Sequence, residues 1–301
     1  MKKNIELSII IVNFNTYRFI DKCLKSIYQS NFPRSQLEII VIDNDSKDDS
    51  VSLLKKNFPN IKLIQNKKNV GFARANNYGI RQANGNYVLL LNPDTLVDTD
   101  TLIEVVSFMD KNASVGIITC RVELPNGTLD DASHRGFPTP WNAFCHFLGL
   151  AKLFPNNIFF NGYHLGFKDL NQVHEIDSCA GAFMLIRKKT GEDVSWLDED
   201  YFWYGEDIDF CYRVKKAGWK IIYVPKVKIL HYKGVSGGIK DHSREISTAD
   251  KKTQILAVRS RFEVMRIFYE KHYRGIYPSI ITSLVMAGIR LKEFLNLLRY
   301  H

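Results

Sequence analysis

Paired cysteines, internal repeats, low-complexity tracts and membrane-length apolar runs are all missing from this chain of 301 residues. Its five cysteines (Cys23, Cys120, Cys145, Cys179 and Cys211) are odd in number and scattered, with no CxxC pair. That excludes a disulfide framework and a cysteine zinc site, and points to a reducing, cytoplasmic setting. The opening MKKNIELSIIIVNFNTY places Lys2 and Lys3 before an apolar run, as a secretory signal does. It has no small-residue cleavage site and passes into Asn13, Asn15 and Thr16, so a buried first strand is expected instead. Neither GxGxxG nor GxxxxGK[ST] occurs, which removes the usual support for dinucleotide or P-loop binding.

What is present is ordinary globular material, 45% hydrophobic and 24% charged, enough for a sizeable core. Residues 7–13, 37–42, 61–65 and 86–91 read as short strands rich in Ile, Val and Leu. Segments of helical spacing lie between them. Strands apolar throughout, alternating with helices, predict a doubly wound, mostly parallel α/β sheet. Ligands of such a sheet bind beyond the carboxyl ends of its strands. A helix over 99–111 and a strand over 115–120 follow, then an irregular stretch from 121 to 175. Beyond it the pattern predicts a strand over 180–187, a helix from Glu206 to Lys216 and a strand from Lys220 to Val224.

Several predicted strands stop at polar or acidic residues: Asn13, Asp43 and Asn92-Pro93-Asp94. Asp94 reads either as a turn residue or as a ligand for a divalent cation, which favours oxygen donors. His231, after the run PKVKIL, either is structural or completes the same site. Gly205-Glu206-Asp207 opens a helix, where the dipole stabilises each acid by roughly 0.3–1 kcal/mol, or where one acid serves as a general base. Adjacent helical positions diverge by about 100°, so only one of the two can face a given acceptor. Tyr201 to Tyr204 read as an aromatic wall for a sugar or as core. GFARANN (71–77) offers Gly71 for close approach of a phosphate or base, and Arg74 as its partner or as a solvated helix residue.

In order, LSIIIVNFNTYRFIDKCLKSI, VIDNDSKDDS, NVGFARANNYGI, GNYVLLLNPDT, AGAFMLIRK, FWYGEDIDFCYRVKKAGWKIIYVP and HYKGVS resemble the inverting family 2 glycosyltransferases of the GT-A fold, in their rhamnosyltransferase-like branch. The resemblance covers residues 5 to 240. It implies that Asn13, Asp43, Gly71, Arg74 and Asn92 serve the nucleotide, with Asp43 bonded to the pyrimidine. It also implies that Asp94 and His231 hold Mg²⁺ or Mn²⁺. Asp207 beside Glu206 would be the catalytic base, and Trp203 and Tyr204 would meet the acceptor. Asn92 stands where the family's Asp-x-Asp motif has its first Asp, and neutral Asn is a weaker metal ligand. The implied activity moves a sugar, L-rhamnose from dTDP-rhamnose or another dTDP- or UDP-sugar, to a saccharide or polyprenyl-diphosphate-linked acceptor in surface polysaccharide synthesis. A sugar nucleotidyltransferase and a non-catalytic nucleotide-sugar or glycan-binding module are the alternatives. The first would need a glycine- and basic-rich triphosphate loop after the first strand, which is not found.

The expected organisation is a catalytic domain over 1–245, with a nucleotide half to about 120 and an acceptor half beyond, and a helical tail over 246–301. Net charge is +9, of which residues 251–301 supply +7 (ten Lys or Arg against three Glu). Gly275 to Ile289 is uncharged but only fifteen residues long, short of the roughly 20 that span a bilayer. A basic amphipathic helix at the inner face of the cell membrane is expected, with packing on the domain or on a second copy as the alternative. Nucleic acid is not an expected partner, since no nucleic-acid-binding motif accompanies the charge.

Overall fold

A computed structural model of the chain describes residues 5–234 and 249–298. Lys2, Lys3, Val235, Ser236, Arg299 and the expected boundary at 245/246 lie outside the described residues. In chain order the elements are β1 (Leu7–Asn13), α1 (Tyr17–Gln29), β2 (Leu37–Asp43), α2 (Ser50–Asn57), β3 (Lys62–Gln65), α3 (Phe72–Ile80), β4 (Tyr87–Leu91) and β5 (Thr95–Val97). Then come α4 (Thr101–Lys111), β6 (Val115–Glu123), α5 (Pro140–Phe147), α6 (Leu150–Leu153), β7 (His174–Glu175), β8 (Phe183–Arg187) and α7 (Lys188–Asp193). Last are α8 (Glu206–Lys216), β9 (Lys220–His231), α9 (Lys251–His272) and α10 (Ser279–Leu297).

One sheet runs in the order β3-β2-β1-β4-β8-β6-β9-β5, with β7 paired to β9. β1 to β4, β6 and β9 share one direction, while β8, β5 and β7 run against it. The mostly parallel, helix-flanked sheet read from the sequence is therefore present, and it continues through both expected halves, with β6 crossing the 120/121 boundary. Alternation sorts its residues to two faces. Ile9, Ile11, Val41 and Leu89 pack with Leu24 and Ile27 of α1 and Leu102 and Val106 of α4. Ile10, Ile40, Ile42 and Leu90 pack with Ala73 and Ile80 of α3 and Phe210 of α8.

Two of the strands that depart from the sequence pattern, β5 and β9, matter for the site. β5 was hidden behind the Pro93 turn; it pairs antiparallel with the end of β9, setting Thr95 opposite His231. β9 does not end at Val224. Its register on β6 jumps from Cys120↔Val224 to Arg121↔Lys228, so Pro225, Lys226 and Val227 bulge out and the strand continues to His231. Proline lacks the N–H that a regular ladder needs, which suits it to a bulge. PKVKIL is thus the second half of one bent strand.

The basic tail is docked on the domain through α9. Phe268, Tyr269 and Tyr273 pack with Ile208 and Tyr212 of α8, and His272 Nε2 lies 2.7 Å from Asp209 Oδ1. α10 in turn packs Val285, Met286 and Ile289 on Val258 and Phe262 of α9. No helix among the described residues is long and apolar enough to cross a membrane.

Candidate active site

The carboxyl ends of β1, β2 and β4 open on a cleft of about 140 Å³. Its walls include Val12, Phe14, Asn44, Asn69, Gly71, Asn92, Pro93, Asp94 and the aromatic turn Phe202-Trp203-Tyr204. A larger cavity, about 1120 Å³, lies at the opposite, amino ends of the strands, beside Ile5, Leu37, Lys62 and Asn86. Strand-end chemistry favours the smaller one, since that is where the crevice of a parallel sheet forms.

Asn13 and Asp43 are register partners at the ends of β1 and β2, and both are buried. Asn13 Nδ2 donates to Asp43 Oδ1 at 2.7 Å and to Ser46 Oγ at 2.9 Å. They are absent from the lining given above, which is formed next to them by Asn44. That residue passed unremarked in the sequence. Its side chain fastens the end of β2 to the loop between β3 and α3 by three bonds: Oδ1 accepts from Val70 N (3.0 Å) and Asn66 Nδ2 (3.0 Å), and Nδ2 donates to Asn69 Oδ1 (2.8 Å). Gly71 sits at φ +87°, and a Cβ there would meet Phe202 O at 2.8 Å, so glycine is required by both conformation and contact. Arg74, expected at the nucleotide, instead has Nε 2.8 Å from Glu199 Oε2 and is not part of the lining.

Asp94 and His231, 137 residues apart in sequence, are brought together by the β5–β9 pairing. His231 Nε2 lies 3.4 Å from Asp94 Oδ1 and 3.4 Å from Asn92 Nδ2. The other ring nitrogen, Nδ1, donates to Asp130 Oδ2 at 2.9 Å, and Lys233 is bonded to the second oxygen of Asp130. Burial opposes a charge on His231, but Asp94 and Asp130 outweigh it and push the ring up to about 9. Burial likewise opposes ionisation of Asp130, yet His231 and Lys233 hold it well below the usual carboxylate range. The donor chemistry fits Mg²⁺ or Mn²⁺ provided the ion displaces the Nε2 proton of His231: a strand-end carboxylate and an imidazole oriented from behind by a carboxylate, with diphosphate oxygens and water to fill the remaining positions. Among the described residues, no group of three His, Cys, Asp or Glu side chains could hold a metal.

The Glu-Asp pair opens α8 directly after the aromatic turn, where Tyr204 (φ +76°) and Gly205 (φ +83°) both take the left-handed conformation. The two acids face different surroundings. Asp207 Oδ2 accepts from Arg135 Nη2 at 2.7 Å and Oδ1 from Ile208 N at 2.7 Å. Glu206 is buried, and among the described residues its Oε2 has no hydrogen-bond partner. Burial, reinforced by the neighbouring Asp207 charge, pushes its carboxyl up to about 8. Arg135 belongs to the irregular stretch, fastened to Ser178 by Arg135 N→Ser178 O (3.2 Å) and Ser178 N→Arg135 O (2.9 Å). No local sequence signal marks it, because its role arises from a contact 72 residues away. Trp203 and Tyr204 stack with ring centroids 5.8 Å apart and border the cleft, whereas Tyr201 is core.

Comparison with known proteins gives the family and the fold. The family model described as Glycosyl transferase family 2 matches residues 8–189. The chain is 29% identical over 234 residues to Rhamnosyltransferase WbbL of Escherichia coli, covering 74% of this chain and 82% of that one. It is 24% identical over 263 residues to the N-acetylglucosaminyl-diphospho-decaprenol L-rhamnosyltransferase of Mycobacterium tuberculosis, covering 83% of each. Among solved structures it resembles the mannosyltransferase PcManGT from Pyrobaculum calidifontis in complex with GDP-Man and Mn²⁺, with a TM-score of 0.58 and 17% identity over 95% of this chain and 69% of that one. Staphylococcus aureus TarS 1-349 aligns with a TM-score of 0.57 and 17% identity, over 97% and 71%. These likenesses give the GT-A fold.

Proposed function

From the premise that the chain belongs to glycosyltransferase family 2 and is a glycosyltransferase, we propose that it moves a sugar from a nucleotide diphosphate to a saccharide on a polyprenyl-diphosphate carrier, with inversion. L-Rhamnose from dTDP-rhamnose is the favoured donor, on the strength of the two rhamnosyltransferase relatives. The observation that carries the reading is the meeting of Asp94, which lines the cleft together with Gly71 and Asn44, with His231, whose Nε2 is 3.4 Å from the Asp94 carboxylate although the ring itself is not part of the lining. It is a place for a diphosphate at the strand ends, next to a wall for the base and sugar.

In this mechanism the acceptor hydroxyl oxygen attacks the anomeric carbon as the bond from that carbon to the diphosphate oxygen breaks. Asp207 takes the hydroxyl proton, while Arg135 and Ile208 N fix the direction of its carboxylate. Glu206 is less suited to be the base, because burial and the neighbouring Asp207 charge raise its carboxyl and favour the protonated form. Asp94, aided by Asn92 and His231, would hold Mg²⁺ or Mn²⁺, which supplies positive charge for the departing diphosphate. Asp130 orients His231, and Trp203 and Tyr204 bound the acceptor side. The protein is read as acting at the inner face of the cell membrane, where such acceptors reside.

Calorimetric titration with dTDP-rhamnose, UDP-galactose, UDP-N-acetylglucosamine and GDP-mannose, with and without Mg²⁺ or Mn²⁺, tests this. The expected result is one preferred sugar nucleotide whose binding is strengthened by metal. Binding of none, with metal and acceptor saccharide both present, would refute the transferase assignment of the cleft.

A further inference from the structure

The acceptor side of the cleft adjoins a surface that the transfer chemistry does not use. Between Asp131 and Asp169 the chain has no acidic residue. Here α5, α6 and the loop after them expose Phe144, Leu148, Leu153, Ile158 and Phe159, with Leu153 and Ile158 each 69% accessible. The outer face of α10 is similar: Leu284, Leu291, Phe294 and Leu295 are all more than half exposed, while Val285, Met286 and Ile289 face α9. Folded monomers rarely leave so many large apolar side chains together in water.

The two exposed regions are distant in sequence but form one surface. Lys292 Nζ of α10 stands 3.5 Å above the Phe147 ring of α5, and Leu291 and Leu295 flank Lys292 along the helix. Positive charge collects at the junction. Lys292, Arg261 and Lys152 all act on His146 of α5 and, after burial and His164, help to hold its ring near 4. A Cβ on Gly205, next to Tyr204 of the cleft wall, would meet the side chain of Val264 at 2.8 Å, so α9, which carries Arg261, packs directly against the aromatic turn. Exposed aromatic and aliphatic side chains within a basic field match the headgroup region of an anionic bilayer.

We propose that the α5–α6 segment and the outer face of α10 form a single lipid-docking surface, which seats the protein on an anionic membrane with the acceptor side of the cleft towards it. The proposal deepens the transferase reading by saying how a lipid-linked acceptor reaches the cleft, and it rests on that reading only for its purpose. It also enlarges the membrane contact beyond the basic tail, because half of the surface comes from the catalytic domain.

Co-sedimentation with phosphatidylglycerol–phosphatidylethanolamine vesicles, against phosphatidylcholine vesicles, provides the test. The full chain should bind the anionic vesicles preferentially and lose binding as salt rises. Leu153→Ser with Ile158→Ser, and separately Leu284→Ser with Leu291→Ser, should each weaken vesicle binding about tenfold or more, on the scale of burying two large apolar side chains. Thermal melts should hardly move, since all four positions are exposed. Donor binding and transfer to a soluble acceptor saccharide are measured on the same proteins, so failure of docking is separable from failure of the transferase reading. Wild-type protein that ignores anionic vesicles would overturn the proposal, as would an unchanged Leu153→Ser/Ile158→Ser variant. So would a wild-type dimer that this pair converts to monomer by analytical ultracentrifugation, for the face would then join two copies.

Discussion

Glu206→Gln isolates one buried proton. In the folded chain the Glu206 carboxyl is pushed up from 4.5 to about 8, first by burial and then by the Asp207 charge beside it. In the unfolded chain it ionises in the ordinary glutamate range. Between those values the folded state binds the extra proton, so this group lowers stability as pH rises, and its contribution is whole only below the unfolded value. At 1.36 kcal/mol per pKa unit, the loss between about pH 5 and about pH 8 comes to roughly 2–4 kcal/mol, allowing for relaxation around the site. Glutamine keeps the shape of the neutral acid and cannot ionise. Urea denaturation across that range should therefore show a falling stability for wild type and a flatter profile for the variant. Transfer activity supplies a second readout: Glu206→Gln should stay within about tenfold of wild type if the neutral form is the working form. Parallel stability profiles for the two proteins would refute the reasoning, because Glu206 would then be ionised in the folded chain.

Other substitutions divide the work of the cleft. Asp207→Asn should keep donor binding in calorimetry but lower the transfer rate by about 10²–10⁴-fold, the usual span for a general base; near-normal turnover would remove Asp207 from that role. Asp94→Ala should weaken donor binding about tenfold or more with Mn²⁺ present and little without it, and equal losses in both conditions would argue for a steric role. Asp130→Asn should cut the metal enhancement of donor binding by about 10–100-fold, as expected when the carboxylate behind a ligating imidazole is lost. An unaltered enhancement would leave Asp130 as a partner of Lys233 alone.

Much of this site could be read from local pattern. Asn13, Asp43 and Asp94 stand out because apolar alternation stops abruptly at them, and Gly205 to Asp207 because a helix begins there. Gly71 is legible as a glycine leading a helix, suited to close approach of a phosphate or base, although its positive φ and its contact with Phe202 O are not. What escaped depends on register over long distances. Asp130 and Arg135 lie in a stretch without periodicity, and they acquire meaning from His231 and Asp207, 101 and 72 residues away. Arg74 shows another limit of local pattern: its ion pair with Glu199, 125 residues away, could not be foreseen from GFARANN. The short strand β5 was concealed because three residues after a Pro-Asp turn carry too little alternation to announce a strand.

The three-residue bulge at Pro225, Lys226 and Val227 makes the cleft unusually sensitive to changes in chain length rather than in residue type. Side chains on a strand alternate faces, so deleting or inserting one residue between the bulge and His231 would turn the imidazole to the other side of the sheet. The same edit within the bulge could be absorbed locally, where the ladder is already broken. Insertions and deletions along β9 should therefore divide sharply: tolerated at 225–227 and disabling at 228–230, a boundary that a scan of single-residue indels would trace without touching any candidate ligand.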